Sequence, residues 1–161
     1  MNKIFFIVIV LSFTLLNINS DAFAVEHDSN IIIETPYVRA SIPGTTITSA
    51  YMSIENKNNA AIILTGASGL FSDRIEIHQH TMSDGMMKMR QVEQLIIEGD
   101  NKVILQPMGY HLMIFNVKKA LLPEEEVSLT LHFKQQKDLV VTIAVRSIKQ
   151  KNPDKKQHHH H

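Results

Sequence analysis

Nine histidines and eight methionines stand in a chain of 161 residues that has no cysteine and no tryptophan. Six of the methionines fall between residues 82 and 113, at Met82, Met86, Met87, Met89, Met108 and Met113, and His78, His80 and His111 are interleaved with them. A thioether is soft and neutral and favours Cu(I) over hard cations, while imidazole suits copper in either oxidation state. Zinc recruits Cys, His and carboxylates and gains little from Met. The absence of Cys excludes disulfides, thiol nucleophiles, thiolate metal sites and a blue-copper centre of the His/Cys/Met kind. No G-x-S-x-G nucleophile elbow is present. Soft, neutral ligands without an acidic base point to holding and passing on Cu(I), not to an enzyme.

Each of these residues also has a plainer reading. A lone Met in a strand usually fills an irregular gap in a core, and Met52, Met82 and Met86 are read as packing or rim residues. His27 and His132 are read as surface or hydrogen-bonded core residues. What weakens the plain reading for the others is their placement on strands. Past residue 30 the apolar pattern has period two, with turn signals between β-branched runs. Strands are predicted over 37–40, 50–56, 61–68, 74–81, 86–92, 102–105, 110–117, 127–134 and 139–147, and no helix is expected. The breaks are Ile42-Pro43-Gly44, Asn56-Lys57-Asn58-Asn59, Ser83-Asp84-Gly85, Glu98-Gly99-Asp100-Asn101 and Pro123-Glu124-Glu125-Glu126. Gly and Asn tolerate positive φ there, and Pro removes a ladder donor. Asp84-Gly85 is the sharpest hairpin signal.

Alternation sorts the ligand types onto faces. His78 and His80 share a face opposite Ile75 and Ile77. Met87 and Met89 share a face opposite Lys88 and Arg90, and His111 and Met113 lie opposite Leu112 and Ile114. The turn at Asp84-Gly85 sets the first two strands antiparallel. If 110–117 packs beside them, imidazoles and thioethers converge.

The flanking segments are an address and a tail. Lys3, an apolar stretch from Ile4 to Leu16, a polar segment and Ala22-Phe23-Ala24 have the build of a secretory signal cleaved after Ala24. The apolar stretch is shorter than the roughly 20 residues a membrane-spanning helix needs, and no Cys follows it to accept a lipid. The mature chain is expected in the periplasm without membrane insertion. Residues 25–148 are expected to form a single copper-binding β-domain, and 149–161 a disordered, basic and His-rich tail. His158–His161 reads either as a purification tag or as a native metal-capturing segment. Equal numbers of acidic and basic residues, 16 of each, leave no electrostatic footprint for nucleic acid.

His78, ten intervening residues, Met89, twenty-one intervening residues and then His111-x-Met113 resemble the copper motif of the periplasmic copper chaperone family PCu(A)C. Glu76-Ile77-His78, Asp84 to Arg90 and Gly109 to Met113 agree with it. The likeness extends through Ala50-Tyr51-Met52 and Leu121-Leu122-Pro123 to Val127–Phe133. The resemblance implies an all-β, cupredoxin-like Greek-key β-barrel or sandwich. It implies one Cu(I) held by His78, Met89, His111 and Met113. It also implies delivery to cytochrome c oxidase assembly, directly to an oxidase subunit or through a thiol-bearing partner chaperone. Gln79 stands where the family commonly has Glu, and His80 is a second-choice ligand or an aid to Cu(II) capture. The His tail resembles extensions thought to take Cu(II). The competing readings are an Ig-like structural or adhesion module, in which Met and His merely pack, and a copper scavenger or storage protein without a delivery role.

Overall fold

The computed structural model describes residues 30–83 and 85–147. The expected signal segment and its cleavage after Ala24, His27, Asp84 of the hairpin, the domain end at Ile148 and the His158–His161 tail lie outside the described residues. Ten strands follow in chain order: β1 (Ile31–Arg39), β2 (Thr48–Asn56), β3 (Ile62–Ser68), β4 (Ser72–Ser83), β5 (Met86–Gln91), β6 (Leu95–Ile97), β7 (Asn101–Leu105), β8 (Tyr110–Val117), β9 (Glu126–Phe133) and β10 (Leu139–Arg146). β8 has the bounds that alternation predicts. β6 has no counterpart in the sequence reading, because three residues are too few to display a period. It is recognisable only by its pairing with β3, in which Leu64 faces Leu95 and Ile62 faces Ile97.

The strands form one mixed sheet in the order β5-β4-β8-β7-β2-β1-β10-β9-β3-β6. β1 runs parallel to β10 and β7 parallel to β8, and the other pairings are antiparallel. The expectation of a barrel is corrected here. β5 and β6 end the sheet without pairing to each other, so the all-β, cupredoxin-like sheet remains open. β2 is the hinge of the arrangement. Its first half pairs with β8, where Ser49 faces Met113 and Ala50 faces Leu112. Its second half pairs with β7, from Met52 against Leu105 to Asn56 against Asn101. Two neighbours share one edge of a single strand, and β8 is thereby brought between β2 and β4.

The core lies on one face of this sheet. Ile77 and Leu112 are direct cross-strand partners, as are Ile75 and Ile114. Ile77, Leu112 and Ile114 are buried beside Ala50, Ile54, Leu129, Leu131 and Ile143. Fully burying such a side chain stabilises the fold by about 1.5–3 kcal/mol. Glycine serves the two tight breaks that require it. Gly44 and Gly85 have φ of 83° and 74°, a region that L side chains rarely adopt.

Leu112 backs the face that carries His111 and Met113. Leu112→Ala should leave a cavity behind β8 and cost about 2–5 kcal/mol of stability, read as a fall in the denaturant midpoint. A loss below about 1 kcal/mol would mean that the β4–β8 pair does not rest on this core.

Candidate metal centre

Residues directly opposite each other in an antiparallel ladder point to the same side of the sheet. Because Ile77 and Leu112 point into the core, their neighbours point outward. On that outer face His78 stands directly opposite His111, and Glu76 opposite Met113. On the next strand Met89 stands opposite His80, and Gln91 opposite His78. The convergence of β4, β5 and β8 expected from alternation is therefore present. The register adds a detail that spacing did not contain: Met89 pairs with His80 and is diagonal to His78. It lies two strands over and four residues along the ladder from Met113.

The outward direction does not leave this face wet. His111 is only 2% exposed. Its ring is stacked on His80 at a centroid separation of 4.9 Å and lies 6.0 Å from His78 and 6.4 Å from Tyr51. Tyr37 pairs with Tyr51 across β1 and β2, their rings 5.1 Å apart. A row of rings thus crosses the outer face from Tyr37 through Tyr51 and His111 to His78. Below it the Arg74 guanidinium covers Phe115 at 4.1 Å.

Hydrogen bonds settle which nitrogens are free. The turn after β7, with Met108 at a φ of 69°, presents the Gly109 carbonyl to two donors: the His80 backbone N–H at 3.2 Å and His111 Nδ1 at 3.1 Å. A carbonyl only accepts, so His111 carries its proton on Nδ1, and its Nε2 lone pair is available. His78 Nε2 donates to the Glu76 carboxylate at 2.8 Å, which leaves its Nδ1 as the lone-pair atom. Arg74 Nη1 lies 3.4 Å from the other Glu76 oxygen. His78 Nδ1 and His80 Nδ1 are both buried without a hydrogen-bond partner. Buried polar atoms in that condition are costly and suit a cation. A carboxylate on the far nitrogen is also how metal-ligating histidines are oriented. Ser49 Oγ approaches Met113 Sδ at 3.5 Å, so Met113 is anchored from β2. Met89, on the edge strand, is half-exposed.

Among the described residues no group of three or more His, Cys, Asp or Glu is disposed to hold a metal ion. The further soft donors near these imidazoles are the thioethers of Met89 on β5 and Met113 on β8. Met52 is core, as expected, while Met82 and Met86 are exposed rim residues. His132 lies away from the site, held by Ser68 and Asp138. The residues that sequence reasoning missed are the supports. Tyr51 and the Gly109 carbonyl carry no ligand signature, and Glu76 entered only as part of the motif. Their partners are fixed by strand register.

The profile described as "Putative lipoprotein LpqE-like" matches residues 31–145. The chain belongs to the LpqE-like family. This LpqE-like chain is 22% identical over 125 residues to "Putative lipoprotein Lxx21020" of Leifsonia xyli subsp. xyli, which covers 77% of this chain and 74% of the relative. The solution structure of CuI-DR1885 from Deinococcus radiodurans is 30% identical, covering 71% of this chain and 76% of that one, with a TM-score of 0.60. The copper-bound PCuAC domain from PmoF2 shares the fold at 20% identity, covering 73% and 93%, with a TM-score of 0.63. The resemblance to the PCu(A)C chaperone family, stated from the motif, holds. Like those domains, the LpqE-like chain is non-catalytic. The lipoprotein descriptions agree with export, and the protein is periplasmic.

Burial pushes the His111 imidazole below its ordinary value of 6.5, opposed by the Gly109 hydrogen bond and assisted by His80, His78 and Arg39. The folded chain therefore resists a proton that the unfolded chain accepts as pH falls through 6.5. Stability should drop on acidification until the folded-state value is also passed. His111→Gln should flatten that part of the thermal-stability profile of the metal-free chain. A profile of unchanged slope would remove His111 as its source.

Proposed function

We propose that this protein is a periplasmic Cu(I) metallochaperone that carries one Cu(I) on His78, Met89, His111 and Met113. The observation that carries the reading is the paired imidazoles of β4 and β8. Each ring has one nitrogen committed, His78 to Glu76 and His111 to Gly109, and each has the other left as a lone pair. Two neutral nitrogens and two thioethers match Cu(I), and none of the four is a thiol that an oxidising compartment would convert to a disulfide. The likeness to the CuI-DR1885 structure, at 30% identity, supports the same cargo.

The residues divide the work by rigidity. His111, buried and hydrogen-bonded, and Met113, anchored by Ser49, form a preset pincer two residues apart on β8. His78 is oriented by Glu76. Met89 is the adaptable arm. Its flexible side chain reaches from the edge strand across β4 to complete the set, and its exposure gives an acceptor a ligand to displace. Delivery then proceeds by ligand exchange to thiolates of higher Cu(I) affinity. The destination we propose is cytochrome c oxidase assembly, reached directly or through a thiol-bearing partner chaperone. A Cu(II)-capturing role for His158–His161 and for His80 belongs to the same proposal, as does a single β-domain ending at residue 148.

The test is a competitive Cu(I) titration against a chromophoric chelator under reducing conditions. We expect one tight site, lost in His111→Ala and strongly weakened in Met113→Leu and Met89→Leu. These Met→Leu variants nearly conserve volume and should cost less than about 1.5 kcal/mol of stability. Glu76→Gln should weaken copper binding about 10- to 100-fold through its effect on His78. Unchanged affinity in Met113→Leu and Met89→Leu would overturn the ligand assignment.

A further inference from the structure

Beyond the four-ligand site, the β4–β5 hairpin continues the same outward face toward its tip. Next to the His80–Met89 pair, Met82 stands directly opposite Met87. Met87 and Met89 are two residues apart on β5, so Met82, Met87 and Met89 occupy one corner of one face. They are 67%, 46% and 44% exposed. Core packing, the ordinary use of Met, does not account for them. An apolar side chain in water gains nothing from its position, and the charged residues of β5 point the other way. Lys88 and Arg90 pair with Thr81 and Gln79 on the opposite face. Met86, paired with Ser83, is on that opposite face too and serves as an internal control.

We propose that Met82, Met87 and Met89 form a second, weaker Cu(I) site made of thioethers alone, a landing site from which the ion moves inward. This rests on the reading of the deeper site as a Cu(I) site. Three neutral soft sulfurs bind Cu(I) without charge repulsion or proton release. With no imidazole in the set, they hold it less tightly than the deeper four. Met89 is common to both sets. Copper entering at the tip therefore keeps one sulfur while Met82 and Met87 are exchanged for His78, His111 and Met113. The ion remains Cu(I) throughout, and no electron or proton is transferred.

The test uses the full chain with methyl-labelled methionine, titrated with Cu(I) under reducing conditions. In His78→Ala/His111→Ala, the methyl signals of Met82, Met87 and Met89 should shift together while that of Met86 stays in place. Adding Met82→Leu/Met87→Leu should abolish the Met89 shift. Unmoved Met82 and Met87 signals, or an equal shift of Met86, would overturn the proposal. Removing the buried His111 can unfold the chain, so a second measurement stands apart from it. Met82→Leu/Met87→Leu alone should leave the final affinity of the deeper site unchanged and slow its loading from a Cu(I) chelate, and an unchanged loading rate would overturn the proposal. The two readings fail separately. Tight binding that shifts Met113 in the wild-type chain, with Met82 and Met87 unmoved in His78→Ala/His111→Ala and the loading rate unchanged in Met82→Leu/Met87→Leu, removes the landing site and keeps the chaperone site. Shifts of the tip methionines without Met113 do the reverse.

Discussion

The period of two along β4 and β8 is the constraint on which the rest of the molecule depends. Ile75, Ile77, Leu112 and Ile114 are committed to the core by their apolar surface. The residues between them are thereby committed to the opposite face. A slip of one residue in either strand would turn every imidazole and thioether into the core and every isoleucine into water. Hydrophobic burial, which has no chemical specificity of its own, thus sets the register of a face that carries imidazoles and thioethers. The direct opposition of His78 and His111 follows from the direct opposition of Ile77 and Leu112 one step along the ladder.

An outward-facing site would ordinarily be solvated and loose. Here a second packing layer covers it. The ring row from Tyr37 to His78, together with the Arg74–Phe115 contact, dries the His111 side of the face. The Gly109 carbonyl fixes His80 and His111 at once. Dryness falls off across the sheet, from a buried His111 on β8 to half-exposed methionines on β5. That gradient has a mechanical meaning for the proposed site: its rigid members lie at the inner end, and its adaptable one lies at the exposed edge. An edge strand also risks pairing with foreign strands. Lys88 and Arg90, charged residues on short β5, are a recognised protection against that.

The proposed cargo is consistent with this division. A chaperone must hold an ion without trapping it. Neutral ligands of mixed type, one of them exposed, suit such temporary custody better than a closed cage does. Sulfur supplied as thioether instead of thiolate keeps affinity below that of a thiol-bearing acceptor and avoids disulfide formation in the periplasm. Methionine remains open to sulfoxide formation, and the exposed members are the more accessible to it.

Much of this was legible in the residues. The strands of the site, the hairpin at Gly85, the shared faces of His78 with His80 and of His111 with Met113, and the spacing that marks the family are all local patterns, with period and turn chemistry acting over a few residues at a time. What only the tertiary structure decided is non-local. The sheet stays open, because closure depends on whether β5 and β6 meet, and no local pattern encodes that. Met89 aligns with His80, because register belongs to a pair of strands. His111 is buried on an outer face because the rings of His80, His78 and Tyr51, brought from β4 and β2, pack around it. Its tautomer is set by a carbonyl that a positive-φ turn happens to aim at it. Sequence by itself determined which side chains could bind a soft metal ion and on which side of each strand they stand. The fold decided which nitrogens are free and which of these side chains are rigid, because those depend on neighbours that only chain folding brings together.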